Sequence, residues 1–143
     1  LPMDPVVSDL METDVVTIGA NCTLEDVGTK LYETGVGSLI VHSDEDVPIG
    51  IITPQDLLRA ISESSDALSE IPVTEYMSRP LRTIRKNKSV RSAVRRMNEE
   101  GVEQLAIVED YTVLGIFSRK DVMMAYESLI KAAHQSEQQP KSD

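Results

Sequence analysis

The chain repeats itself, and no other feature constrains its fold as tightly. Sliding the sequence by 66 positions brings Val7 onto Val73, Met11 onto Met77 and Thr17-Ile18 onto Thr83-Ile84. Asn21 then meets Asn87, Glu33 meets Glu99, Gly35-Val36 meets Gly101-Val102, and Leu39 meets Leu105. Nine of the 36 positions from 7 to 42 are identical, where ordinary composition gives about two. Past an acidic loop the offset shortens to 65, and Gly50-Ile51-Ile52-Thr53-Pro54-Gln55-Asp56 meets Gly115-Ile116-Phe117-Ser118-Arg119-Lys120-Asp121. The 143 residues therefore divide into one copy over 7–61, a linker over 62–72, a second copy over 73–130, and a tail over 131–143.

Both copies carry the same local signals. A short segment ending in Met11 or Met77 leads into a brief strand, Val15–Ile18 or Leu81–Ile84. Thr23 with Asp26 three residues on is a capping box, and Ser89 marks the matching helix start in copy two. Leu24, Val27 and Leu31 recur at helical spacing, as do Val90, Ala93, Val94 and Met97. Gly35 and Gly101 stand where a helix C-cap glycine belongs. The apolar runs Ser38–His42 and Gln104–Glu109, each followed by a tight turn and a second apolar run, read as β-hairpins. Pro54 and Arg119 begin a second helix. The fold class is α/β (α+β), two β-α-β-β-α units. Each unit alone leaves an apolar sheet face exposed, so the two are expected to pack sheet to sheet. The linker is polar and turn-rich, and the tail, without periodicity, is expected to lack regular structure.

The hairpins end in Gly-apolar-apolar-(Thr/Ser)-x-x-Asp. The last strand residue, Thr53 or Ser118, is delivered to a helix N-terminus, where free N–H groups and the helix dipole favour polar and anionic oxygens. The carboxylates of Asp56 and Asp121, one turn on, can accept both hydroxyls of a ribose diol. Gly50 and Gly115 allow close backbone approach. The same pattern is also a helix cap, with Pro54 at a favourable first position. A duplicated fold duplicates its caps, so both readings stand on the residues alone.

The ordered recurrence of Val7–Met11 and Val73–Met77, the strands ending Thr-Ile, the Gly-Val-Gly-Ser-Leu-Ile-Val stretch and the two closing motifs resembles a tandem pair of CBS domains, often called a Bateman module. The resemblance covers about 120 of the 143 residues. It implies two sheets related by a pseudo-two-fold axis, with a cleft between them holding adenosine-containing ligands: AMP, ADP, ATP, S-adenosylmethionine or NAD-like molecules. No required cofactor is implied. Carried over residue by residue, one pocket combines Ser118 and Asp121 with Thr17 and the Gly37-Ser38-Leu39 backbone. The other combines Thr53 and Asp56 with Thr83 and Gln104-Leu105-Ala106. Val16 and Ile51 would sandwich the adenine. Many relatives have Arg immediately before the Asp, where this chain has Gln55 and Lys120. Arg119 and Lys120 give the Ser118/Asp121 pocket charge of its own, and the Thr53/Asp56 pocket would borrow Arg82. Phosphorylated ligands are therefore expected to favour the Ser118/Asp121 pocket.

Composition narrows the function classes. The net charge is −10, but residues 1–72 sum to −12 and residues 73–143 to +2. Eight of the 14 basic residues lie between Arg79 and Arg96, either as a solvated face or as a local anion site. The acidic balance argues against nucleic acid, and 3% aromatic content supplies no base-stacking platform. A single cysteine, Cys22, forms no internal disulfide, and His42 and His134 lack metal-ligand spacing. No apolar run approaches 18 residues and no leader pattern is present, so no membrane contact and a cytoplasmic location are expected. The chain opens on Leu1-Pro2-Met3, which is expected of an excised piece or of two extra residues before a native Met3. No nucleophile–base constellation is apparent, so enzyme activity is not expected. The expected function is a regulatory, energy-sensing module acting on an unidentified protein. A ligand-independent homodimer scaffold is the alternative, joined through Leu57, Leu58, Ile61, Val122, Met123 and Tyr126.

Overall fold

The computed structural model describes residues 4–138. The elements in chain order are α1 (Val7–Leu10), β1 (Thr17–Gly19), α2 (Leu24–Thr34), β2 (Leu39–His42), β3 (Pro48–Ile52), α3 (Pro54–Glu63), β4 (Thr83–Ile84), α4 (Val90–Glu100), β5 (Gln104–Glu109), β6 (Thr112–Ser118) and α5 (Arg119–Gln138). Two three-stranded sheets result, ordered β1-β2-β3 and β4-β5-β6. In each, the first strand runs parallel to the second and the second pairs antiparallel with the third.

The helix ends form where the side chains dictate. Thr23 and Asp26 close a reciprocal capping box at α2, and the Ser89 hydroxyl accepts the Ser92 N–H at α4. Gly35 and Gly101 end these helices at φ 72° and 67°, a conformation that a Cβ disfavours. The Glu109–Thr112 pair closes a two-residue turn through Asp110 and Tyr111, both at positive φ.

Strand alternation distributes the core. Leu39, Val41 and Ile52 point toward α2 and join Leu24, Val27 and Leu31. Leu105, Ile107 and Phe117 join Ala93 and Met97 beneath α4. The intervening residues Ile40, Ala106 and Ile116 meet one another in a third cluster, with Val15, Ile51 and Leu81 packed against it. That cluster is the sheet-to-sheet contact. It explains why β2 and β5 read as unbroken apolar runs, since both faces of each are covered.

The leading segments are exchanged between the copies. Val7 is fully buried in the second repeat's core, and its N–H donates to Lys88 O at 2.8 Å. Val73 and Met77 are buried in the first repeat's core, and the Val73 N–H donates to Cys22 O at 3.0 Å. The Glu12 backbone pairs with Ile116, and Ser78 pairs with Ile51. Each sequence copy therefore supplies its first few residues to the other structural unit. This exchange gives Gly50 and Gly115 their role. A Cβ on Gly115 would lie 2.6 Å from Met11 Sδ and 2.8 Å from Glu12 O, and one on Gly50 would lie 2.8 Å from Ser78 O. The close approach is that of the exchanged segment.

Two further boundaries differ from expectation. Ile71, at the end of the expected linker, is buried against the first repeat, because it leads directly into the exchanged Val73. Helix α5 continues to Gln138, through the first part of the segment expected to lack regular structure. Residues 139–143 of that segment lie outside the described residues.

Candidate functional site

Both Ser/Thr-x-x-Asp motifs open onto one cleft of about 990 Å³ between the two repeats. Its apolar floor includes Ile51, Leu81, Ala106 and Ile116, residues that also tie the sheets together. At one side the Thr53 N–H donates to Asp56 Oδ2 at 2.9 Å and the Thr53 hydroxyl donates to the same oxygen at 3.1 Å. The Asp56 N–H in turn donates to Thr53 Oγ1 at 3.4 Å. At the other side the Ser118 N–H and hydroxyl donate to Asp121 Oδ2 at 2.8 and 3.2 Å. The carboxylate half of the cap is thus made in both copies, and the reciprocal bond from the Asp N–H to the hydroxyl is made at Thr53. It occupies one carboxylate oxygen of each Asp and leaves the role of the other to its surroundings.

Those surroundings differ. Asp56 Oδ1 lies 3.5 Å from Arg59 Nη2, and Arg59 also donates to Tyr76 O at 3.1 Å and stacks over the Tyr76 ring. The repeat equivalent of Arg59 is Met124, which lines the cleft, whereas Arg59 does not. Burial pushes the Asp121 carboxyl above its ordinary value. The Ser118 hydrogen bonds oppose that shift, nearby Glu12 adds to it, and Lys120 offsets it weakly.

The expected site residues fall into three groups. Thr53, Asp56, Ser118, Arg119, Lys120, Asp121, Gly37, Ser38, Arg82, Gln104, Ala106 and Ile51 all line the cleft. Thr17 and Thr83 do not; their carbonyls accept from Lys30 and Arg96, which hold the backs of β1 and β4. Leu39 and Leu105 are fully buried within their own repeats, and Val16 packs on the first repeat's core. The reason is strand alternation: Val15, one residue earlier than Val16, faces the opposing sheet.

The grouping differs as well. Gln104 pairs with Ser118 of its own sheet, and Leu39 pairs with Ile52, beside Thr53. The residues brought from the other repeat are those of the exchanged segments. Glu12, Met77, Ser78 and Arg79 all line the cleft, and none was singled out as a site residue in the sequence. Their signal was present in Gly50 and Gly115, which require a close neighbour. The cations are also placed differently. Arg119 pairs with Glu103 at 3.4 Å and donates to Asn98 at 3.1 Å, and Arg82 pairs with Glu100 at 3.3 Å. Arg79 has no ion pair among the described residues.

The CBS domain family model matches residues 7–63 and 73–128. The chain belongs to the CBS domain family. The resemblance seen in the sequence and the paired sheets of the structure agree with that assignment. An uncharacterised protein of Methanopyrus kandleri is 30% identical over 125 residues, which cover 87% of this chain and 64% of that protein. An L-aspartate semialdehyde sulfurtransferase of Methanosarcina acetivorans is 30% identical over 120 residues, covering 82% of this chain and 23% of the enzyme. The chain thus spans less than two thirds of the length of either relative. Among solved structures, the CBS domain pair of protein MJ0100, in complex with 5′-methylthioadenosine and S-adenosyl-L-methionine, superposes with a TM-score of 0.76. It is 20% identical, and the match covers 87% of this CBS pair and 98% of that one. An uncharacterised conserved protein of Pyrococcus horikoshii gives a TM-score of 0.77 at 22% identity over the whole of both chains. Among the described residues no helix is long and apolar enough to cross a membrane, and no cluster of three metal-ligating side chains occurs.

Proposed function

We propose that this CBS pair is a regulatory module that binds adenosine-containing ligands in the cleft between its repeats. The observation that carries this reading is the convergence of both Ser/Thr-x-x-Asp caps on one cleft with an apolar floor. A carboxylate at each cap suits a ribose diol, the helix N-termini favour polar oxygens, and Ile51, Ala106 and Ile116 offer apolar contact for a purine. The relative bound to 5′-methylthioadenosine and S-adenosyl-L-methionine supports the ligand class. Regulation follows if the ligand binds two arrangements of the repeats unequally, and so alters a partner or a fused domain. The module itself is read as non-catalytic, cytoplasmic and without a required cofactor.

A second reading is a homodimer scaffold. Helices α3 and α5 expose Leu58, Ile61, Met123 and Tyr126, each more than half accessible. Leu57 and Val122 of the expected interface instead pack against the repeat cores. A thermal-shift panel with AMP, ATP, S-adenosylmethionine and NAD separates the readings. A ligand at about 100 times its Kd adds about 2.7 kcal/mol of stability. The Asp56→Ala/Asp121→Ala protein, already weakened by cap loss, is expected to show no such gain. No shift in the wild type with any of these compounds, together with a dimer by light scattering, would favour the scaffold.

A further inference from the structure

The exchanged segments are equivalent in the repeat but opposite in charge. The segment crossing the second repeat reads Met11-Glu12-Thr13-Asp14, and the one crossing the first reads Met77-Ser78-Arg79-Pro80. Glu12 pairs through its backbone with Ile116, two residues before Ser118, and lies close enough to Asp121 to oppose its ionisation. The same two carboxylates line a groove that continues from the cleft along α1 and α5. Lys120 favours the ionisation of Asp121, but its effect is smaller than that of Glu12. Arg119, the other basic residue of this helix start, is held by Glu103 and Asn98.

The first-repeat half has the reverse balance. Ser78 stands where Glu12 does, Arg79 follows it into the cleft, and Arg59 lies against Asp56. A phosphate on the ligand's 5′ carbon would meet a cation there. On the other side it would meet a second carboxylate, and like charges at close range in a partly desolvated cleft repel strongly.

We infer that Glu12 is a specificity-determining residue, which turns phosphorylated adenosines away from the Ser118/Asp121 half and leaves that half to adenosyl groups with an uncharged or cationic 5′ substituent. This rests on the adenosine reading of the cleft and deepens it: the Thr53/Asp56 half takes the phosphorylated ligand. That is the reverse of the preference expected from Arg119 and Lys120 in the sequence, because Arg119 is held by Glu103 and Asn98 and Glu12 lies beside Asp121. The discrimination works by exclusion of the wrong ligand as much as by attraction of the right one.

Isothermal titration of the full chain with AMP, and separately with 5′-methylthioadenosine, tests it. Glu12→Gln is the informative variant, because its side-chain carbonyl can still accept the Asp14 N–H that Glu12 Oε1 accepts at 2.9 Å. The wild type is expected to take one AMP per chain, with a second site open to 5′-methylthioadenosine. In Glu12→Gln, AMP affinity at the second site should rise by about tenfold or more, while 5′-methylthioadenosine affinity changes little. The gain should shrink as salt is added. Ser78→Glu should weaken the first AMP site. Two equal AMP sites in the wild type, or unchanged AMP binding in Glu12→Gln with 5′-methylthioadenosine still bound, would overturn the inference. Failure of both ligands to bind any of the proteins would overturn the adenosine reading itself, and this inference with it.

Discussion

Asp56 and Asp121 occupy equivalent positions, each accept the N–H and hydroxyl of the Thr or Ser three residues before, and differ in what surrounds them. Arg59 lies beside Asp56, whereas Asp121 is desolvated and faces Glu12. The raised Asp121 pKa has a definite sign in stability. The folded state holds this proton more firmly than the unfolded state does. The charged form therefore costs stability above the folded pKa, and that cost is relieved as pH falls toward the ordinary value of 3.8. Asp121→Asn removes the charge while keeping one oxygen for the Ser118 N–H. The stability of wild type relative to this variant is expected to rise as the pH of urea melts is lowered from 7 toward 4. A difference independent of pH would contradict the assignment. The capping motif itself was legible from Thr53-x-x-Asp56 and Ser118-x-x-Asp121. The Arg59–Asp56 pair, three residues apart on α3, was also within reach of the sequence. The rest of the charge was not, because Glu12 and Glu103 reach the cleft only through tertiary placement.

At the scale of elements, periodicity and capping chemistry identified the helices and hairpins because those signals are local. The cleft lining was only partly legible. Periodicity marks Val15, Val16, Leu39 and Leu105 alike as apolar, but register and alternation decide which of them face the opposite sheet. The exchange of leading segments was hidden for a different reason. Val7 and Val73, and Met11 and Met77, are the same residues at the same repeat positions, so either segment fits either slot by composition. The glycines, also alike in the two copies, mark where a segment crosses closely but not which copy supplies it. Gly115→Ala would drive a Cβ into Met11 and the Glu12 backbone, and Gly50→Ala would do the same at Met77 and Ser78. Each is expected to lower unfolding stability by ~1–3 kcal/mol in urea titration. Gly37→Ala, with nothing within 4 Å of its added Cβ, should change stability by less than about 0.5 kcal/mol. Neutral substitutions at both Gly50 and Gly115 would mean that the segments do not cross there.

For the whole molecule, the division of charge between a −12 first half and a +2 second half acquires a spatial meaning. The exchange carries an acidic segment from the first copy onto the second repeat, and a basic one from the second copy onto the first. Overall charge reported only that the surface repels polyanions; where the repeats converge, cations and carboxylates line the cleft together, Arg79, Arg82, Arg119 and Lys120 beside Glu12, Asp14, Asp56, Glu103 and Asp121. Much of the basic stretch is instead spent on ion pairs such as Lys86–Glu109 and Arg96–Glu100. The central claim is that the cleft between the repeats is the ligand site. Amide chemical-shift mapping of the isotopically labelled protein, titrated with AMP and then with 5′-methylthioadenosine, tests it most directly. Perturbations are expected to centre on Ile51, Thr53, Asp56, Leu81, Ala106, Ile116, Ser118 and Asp121, with the outer faces of α2 and α4 unmoved. Shifts confined to those outer faces, or no shifts at millimolar ligand, would contradict it.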